Sequence, residues 1–520
     1  MQDDDAALRL RGHSVPRWLA ALFVALVLPL GLFLAMATPT GQVADEVGHM
    51  LRAAALADGA VMGHRVAHPD PIMGVRLGTG VDYDPMLVAV ANEVGQQEKL
   101  LFTRRMSVQA IRWSGKSIYI ELGTIGVYLP VFYLPAALGI AVSKGVGASP
   151  FVVFEVGRLA NLAVFMALSV AALLVARRAH GLLFCVLAVP MSVSLGASFN
   201  QDGLLIATAT LAAALLSASL EPGVPPEAVA RRPGYILAAV LIGLIATVKL
   251  PYLPLAAMLL VPLPVWGQWR AQQAAMRRRM AVVAVVALVA LVWTGTVMAV
   301  LSSPVPWPVA PAGPLWPGDP ARLFDATDPA AQIRVLIAHP LAAVTLVWNS
   351  IVTNEWLVRE GIGMLGWLDL LLPDGLYEFW MCVIVAAVAA ALLSPRPSGP
   401  ERPAAVYLPR ALQVAAGGLG WRDILLLVAS AAGCVWVIYL SQYLTWTTVG
   451  ADHVDGPQGR YFLPLLPMLA LAIPRLALSN ATAQTAGRFG WAMLTAAPVV
   501  GALASLALVP MAVIARWYMH

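Results

Sequence analysis

Charge is scarce in this chain. Only 12% of its 520 residues are Asp, Glu, Lys or Arg, about half of the roughly 25% typical of soluble globular domains. With 60% of residues apolar, too little polar side chain remains to clothe a soluble core of this length, which excludes an ordinary water-soluble enzyme. Cysteine is nearly missing as well. Cys185, Cys382 and Cys434 all fall inside apolar runs, and their spacing fits no metal site, so they read as small core residues. Lysine is confined to Lys99, Lys116, Lys144 and Lys249, an arginine bias that points to a GC-rich bacterial genome. No P-loop, no GxGxxG after a strand and no GxSxG nucleophile elbow is present.

What is abundant is apolar sequence in runs of about 20 residues, the length that crosses a bilayer as a helix. The fold class expected is all-α, a polytopic integral membrane protein built as one domain over 1–520. Spans are expected at about 18–37, 151–175, 181–198, 203–220, 234–250, 252–267, 280–302, 377–393, 423–445, 459–474 and 489–512, which makes about eleven. The net charge of +5 reflects orientation rather than nucleic-acid binding, because the basic residues are dispersed and no stripe with interleaved aromatics occurs. The N-terminus lacks a small-residue cleavage site, so the first apolar run reads as a retained helix.

Orientation follows from where arginine collects. Arg9, Arg11 and Arg17 put the N-terminus in the cytoplasm, which leaves 38–149 as a large outer loop. Within it, VYLPVFYLPAALGIAVSKGVG is apolar but carries Pro130, Pro135 and Lys144. If it lies flat as an interfacial helix, the later clusters fall inside: Arg177 and Arg178, Arg231 and Arg232, Arg277 to Arg279, and Arg396, Arg402, Arg410 and Arg422. If it spans, most of them fall outside, so the flat arrangement is expected. A second outer loop, 303–376, opens with a segment too rich in proline for a helix. His339 to Trp356 is expected to be interfacial, and 394–422 to be a cytoplasmic linker.

On this topology the unusual polar residues collect on one side. Asp45, Glu46, His49 and Arg52 open the first outer loop. Arg158 and Asn161, Asn200 and Asp202, Lys249, and Asp369 sit at outer helix ends and turns, as do Asp452, His453, Asp455, Gln458, Arg460 and Tyr461. Ionisable residues at membrane depth are costly and mark function. Asp45, His49 and Arg52, at i, i+4 and i+7, share a helical face. An acidic first turn also complements the helix dipole, with Arg52 facing water, and both accounts of the acids stand. Arg460 beside Gly459 suits a bidentate grip on a phosphate, although a lone arginine also anchors a helix end at head groups. Lys249 and Arg158 at similar depth would extend a cationic pocket. His64 and His68 are four apart, but VMGHRVAHPD reads as loop and lacks the glutamate of HExxH.

DEVGHMLRA, YLPVFYLP, GRLANL, SFNQDG, GWLDLLLP and QGRYFLP together resemble the GT-C superfamily of polytopic glycosyltransferases, and more narrowly the bacterial domain of unknown function 2142 family, from Val43 to Pro464. The resemblance implies an inverting transfer of a sugar from a polyprenyl-phosphate donor to a cell-surface glycan or glycolipid, on the outer face of the bacterial cytoplasmic membrane. It implies Asp45 as general base with Glu46 orienting the acceptor or sharing the task, and Arg460, Arg158 and Lys249 on the donor phosphate. His49, Arg52, Tyr128 and Asn200 would line the substrate, as would Asp202, Asp369, Gln458 and Tyr461. His49 is expected either to hydrogen-bond Glu46 or to touch the acceptor. No cofactor is expected; a divalent cation on Asp45 with Asp202 or Asp369 is the alternative. The expected partners are the lipid-linked donor, the acceptor and membrane lipids, and no nucleic acid. A lipid-linked glycan flippase, or a ligase or polymerase acting on the same substrates, is the rival function.

Overall fold

The computed structural model describes residues 17–70, 74–95, 107–220, 224–264, 267–393, 419–474 and 481–519. Arg9, Arg11 and most of the expected linker 394–422 lie outside them.

Among the described residues, seven helices are long and apolar enough to cross a membrane: Arg17–Ala37, Pro150–Val175, Gln201–Ser219, Trp269–Val300, Asp374–Leu393, Trp421–Thr445 and Phe489–Trp517. Three further apolar elements are shorter, Pro233–Val248, Leu250–Leu260 and Gly459–Ala472. The short elements have a cause in their sequences. Leu250–Leu260 opens with Pro251 and carries Pro254 inside, whose missing N–H and bulky ring disfavour a regular α-helix. It runs instead as a 3-10 helix of 11 residues. At about 2.0 Å rise per residue that stretch reaches about 22 Å, against about 16 Å as an α-helix. The expected span 181–198 is likewise interrupted: His180–Ala188 stops at Val189, which is extended before Pro190.

Gln201–Ser219 is the central post. Nearly all of it is buried, and its sequence QDGLLIATATLAAALLSAS is rich in small residues that let neighbouring backbones approach. Gly203 shows how close they come, since a Cβ there would stand 2.4 Å from the Gly196 nitrogen. Around the post runs one continuous apolar core, from Phe23 and Phe184 through Leu205 and Ile242 to Trp380. Cys185 and Cys434 belong to it as expected, whereas Cys382 faces outward.

The loop end of the bundle departs from an all-α fold. The stretch expected as turns and loop forms an antiparallel sheet in the order β1 (His64–Asp70), β2 (Gly74–Tyr83), β3 (Ile118–Glu121). Small residues permit the pairing: a Cβ on Gly80 would fall 1.9 Å from the Ile120 carbonyl oxygen. Pro69 is tolerated because β1 is an edge strand. The proline-rich opening of the second loop is also extended, with β4 (Pro306–Pro311) pairing antiparallel to β5 (Leu323–Ala326). The three-stranded sheet caps Trp269–Val300, whose last carbonyls have no intrahelical partner. Arg65 donates to the Ala299 and Ser302 carbonyls, and Thr79 donates through its hydroxyl to the Leu301 carbonyl and through its amide to Ser303 Oγ.

Leu134–Gly145, the segment expected to lie flat, is a helix of 12 residues, too short to cross. It packs against the start of Pro150–Val175 through Ala136 and Ile140, with Val153 and Phe154 in the same cluster. The second doubtful segment is two helices, Pro329–Ala338 and Ala342–Thr353, bent by 104°. They run down and back along Trp421–Thr445. Gln332 is buried and bonds to the Tyr443, Thr447 and Thr448 carbonyls and the Gly450 amide, and Trp436 Nε1 donates to the Ala343 carbonyl at 2.8 Å. The outward side is apolar, with Ile337, Leu341 and Val344 all exposed.

Candidate functional site

The first helix ends at Ala37, and the chain turns through TPTGQVAD before entering a second helix at Glu46. The turn is held by the second loop: the Ala44 amide donates to the Gly366 carbonyl, and Trp367 Nε1 to the Gly41 carbonyl. Asp45, at the cap position, has φ 61° and makes no capping bond to the helix. Left-handed backbone is uncommon outside glycine, and Asp is among the few residues that adopt it at modest cost. The unusual conformation turns its carboxylate away from the helix end. The carboxylate is half-exposed and ion-pairs with Arg460 Nη2.

Glu46 meets the opposite surroundings. Its two oxygens accept from Arg158 Nε at 2.7 Å and Nη2 at 2.6 Å, and neither side chain reaches solvent. Arg158 Nη1 donates to the Ala35 and Thr38 carbonyls and Nη2 also to the Pro39 carbonyl. Glu46 Oε1 additionally accepts the Phe199 amide at 3.3 Å. Every guanidinium nitrogen of Arg158 is thus engaged inside the protein. This corrects two expectations: Glu46 is not presented to an acceptor, and Arg158 has no nitrogen free for a phosphate, because the two satisfy each other and lock the turn to the Pro150–Val175 helix.

The remaining charges converge on Asp45. Lys249 follows the last residue of Pro233–Val248, at the junction with the 3-10 segment, and its Nζ lies 2.5 Å from Asp202 Oδ1. Asp202 Oδ2 lies 3.5 Å from Arg460 Nε. Two acids and two bases therefore alternate, Lys249, Asp202, Arg460, Asp45, and only Asp45 is substantially exposed. Arg460 Nε and Nη1 have no partner of good hydrogen-bond geometry. Tyr461 faces both cations, its ring 4.8 Å from Lys249 Nζ and 5.5 Å from the Arg460 guanidinium. Asn200 stays structural: it caps the central helix through the Asp202 amide and donates to the Ala44 carbonyl. Gln458 precedes Gly459–Leu465, and its Oε1 is buried without a partner.

The predicted helical face divides in the same way. His49 is buried and bonds Tyr133 OH at 2.7 Å, not Glu46, which corrects that alternative. Burial holds its imidazole neutral, lowering the pKa from 6.5 to about 4; Asp45 and Asp202 pull the other way, and Lys249 and Arg460 add to the lowering. Arg52 does not face water. It is buried, donates to the Ala60, Val61 and Tyr128 carbonyls and lies over the Tyr133 ring. The Tyr128 phenol is also buried, which raises its pKa, within the influence of Lys249, Tyr461 and Asp202. Asp369 belongs elsewhere: it ion-pairs with Arg516 at 3.0 Å on the surface of the GWLDLLLP turn.

For metals, no group of three His, Cys, Asp or Glu among the described residues could hold an ion. His64 and His68 lie on strand β1 rather than in a loop, beside Tyr119. Asp452, His453 and Asp455 form a separate exposed cluster with His453 between the acids, its pKa raised chiefly by its bond to Asp452.

Several residues of the site were not singled out from the sequence. Tyr133, inside the quoted YLPVFYLP, holds His49. Glu360, in the second outer loop, accepts the Gly459 amide at 2.7 Å, and burial raises its pKa. A Cβ on Gly459 would stand 2.2 Å from the Leu357 carbonyl oxygen, so the glycine lets the arginine's segment dock on Leu357–Gly363. Only the tyrosine and glycine within the quoted motifs offered a signal.

The chain matches, over residues 20–469, a family described as predicted membrane protein (DUF2142). It belongs to that family of predicted membrane proteins, in keeping with the apolar helices of the bundle. No curated protein and no solved structure matches it.

Proposed function

We propose that this protein is an inverting glycosyltransferase of the GT-C type, moving a sugar from a polyprenyl-phosphate donor to a cell-envelope glycan or glycolipid. The observation that carries the reading is the alternating cluster of Asp45, Asp202, Lys249 and Arg460, in which a half-exposed carboxylate sits against a buried arginine. In this reading the chain crosses the bacterial inner membrane eleven times, counting the seven long helices, the three short elements and the interrupted segment 180–196, with its N-terminus in the cytoplasm and the cluster on the far face. The bent pair Pro329–Thr353 then dips into the outer leaflet and returns.

The chemistry follows from the pairings. A donor phosphate takes the unused N–H groups of Arg460 and the ammonium of Lys249. Asp45, released from Arg460, accepts the proton of the acceptor hydroxyl as its oxygen bonds to the anomeric carbon. The bond from that carbon to the phosphate oxygen breaks, and its electron pair stays on the lipid phosphate, where the two cations offset the charge. A single displacement inverts the anomeric centre. Asp202, paired with both cations, orients Lys249 and Arg460 toward it.

The test is release of polyprenyl phosphate from a panel of polyprenyl-phosphate hexoses and pentoses by the protein in nanodiscs, beside mass analysis of surface glycans in cells. The expected result is turnover by the wild type, none by Asp45→Asn, and a lost glycan in cells carrying the variant. Absence of turnover with the whole panel and unchanged glycans would sink the reading. One observation favours the transport alternative: Lys249 sits where regular helix gives way to a 3-10 segment and Arg460 at the start of another, irregular backbone of the kind that carries ligand-binding residues in transporters. Movement of an intact lipid-linked sugar between leaflets, without transfer, would establish it.

A further inference from the structure

His49 is the one site residue whose protonation pattern can be read from its surroundings. Tyr133 is fully buried, and among the described residues its hydroxyl has one hydrogen-bond partner, His49 Nδ1. Two arrangements are possible in principle. If Nδ1 carried the proton, it would donate to the phenol, and the phenolic hydrogen would be left buried with nothing to accept it. If Nδ1 is bare, the phenol donates to it, the buried phenolic hydrogen is used, and the imidazole proton sits on Nε2, which is not sealed without a partner as the phenolic hydrogen would be. Arg52 lies over the Tyr133 ring and offers the phenol no acceptor.

We propose that Tyr133 is a positioning residue: by donating its proton to His49 Nδ1 it fixes the imidazole as the Nε2–H form, so that His49 gives the site a neutral hydrogen-bond donor rather than a second base. The proposal rests on the phosphate-site reading only in what that donor is for. The charged groups facing His49 are Asp45 at the start of its own helix, Asp202 on the central helix, Lys249 and Arg460, with Arg52 one turn further along. An anionic phosphate ester drawn between Lys249 and Arg460 would find in His49 a third donor, one that carries no charge to repel the acceptor alcohol's proton. Asp45 is left as the sole base on that side. The neutral state agrees with the burial of the ring.

Protein labelled with nitrogen-15 histidine, in nanodiscs, tests this directly, the His49 signals being those lost in His49→Gln. The expected spectrum has a bare, hydrogen-bonded Nδ1 and a protonated Nε2; in Tyr133→Phe the Nδ1 signal moves. Binding of undecaprenyl phosphate supplies the second readout. Tyr133→Phe should weaken it about tenfold at pH 8, and the deficit relative to wild type should shrink as the pH falls below about 5, because without the phenol's bond the freed Nδ1 takes a proton at a higher pH than the wild type's value of about 4. A packing role alone would leave that ratio independent of pH. A wild-type spectrum with the proton on Nδ1 would overturn the proposal, as would a Tyr133→Phe binding curve that superimposes on wild type at every pH. If undecaprenyl phosphate does not bind the wild type at all, the phosphate reading falls, and the nitrogen spectrum still decides the role of Tyr133.

Discussion

Asp45 and Glu46 are neighbours of nearly identical chemistry, each paired with one arginine, and they end in opposite states. Glu46 and Arg158 are both sealed from solvent, and every guanidinium nitrogen has a partner. Asp45 is half-exposed on left-handed backbone, and its arginine keeps nitrogens without good partners. The first pair has nothing left to offer a ligand. The second is incomplete in the way a binding site must be, since unmet hydrogen bonds in a buried place are made good by whatever enters. Adjacent residues can therefore divide the labour, one fixing the loop and, in the proposed function, the other facing the ligand.

The comparison can be broken by exchanging each acid for its amide. Asp45→Asn should lower turnover by about a hundredfold to ten-thousandfold, the range of a lost general base, while the protein still folds, because Asn accepts left-handed backbone and keeps an acceptor for Arg460. Glu46→Gln should do the reverse. Leaving Arg158 buried without its charge partner costs about 3–5 kcal/mol, read as a fall in the unfolding midpoint in detergent, with near-normal turnover per folded molecule. Equal losses of activity at both positions, with stability intact, would erase the distinction.

Acid sharpens it further. His49 is protonated near pH 6.5 in the unfolded chain but only near 4 in the folded one, so the unfolded state binds the extra proton between those values. Stability is then full above about pH 6.5 and declines toward pH 4, by up to about 3 kcal/mol. The His49→Gln variant should show a flatter midpoint over that interval, and an unchanged slope would count against a buried neutral imidazole. The smallest effect is expected at Lys144 and Asp58, an exposed pair on the same loop. Lys144→Ala should cost less than about 1 kcal/mol, and less again in high salt.

Much of the bundle was legible because apolar length is a strong signal, and the expected spans coincide with helices wherever no proline intervenes. The polar convergence was also legible, since Asp45, Asp202, Lys249 and Arg460 do meet. What sequence order hides is the partner. Nothing local distinguishes Arg158 from Lys249 as a cation at similar depth; only the fold shows that the first faces Glu46 and backbone carbonyls. The sheet was missed because β2 carries Gly74, Gly78 and Gly80 and β1 carries Pro69, and those residues signal turns unless a partner strand is known. Gln332 was missed for a related reason: a single amide in a polar loop shows no sign of the four backbone groups it joins.

The two acid–arginine pairs also differ in when the ribosome can complete them. Glu46 and Arg158 are 112 residues apart, Asp45 and Arg460 415. At about 5–20 residues per second, the first arginine follows its acid by roughly 6–20 seconds and the second by roughly 20–80 seconds. The loop can thus be locked early, while the carboxylate beside it waits for almost the whole chain. A nascent protein stalled before Arg460 would carry a finished turn beside an unfinished ion-pair cluster.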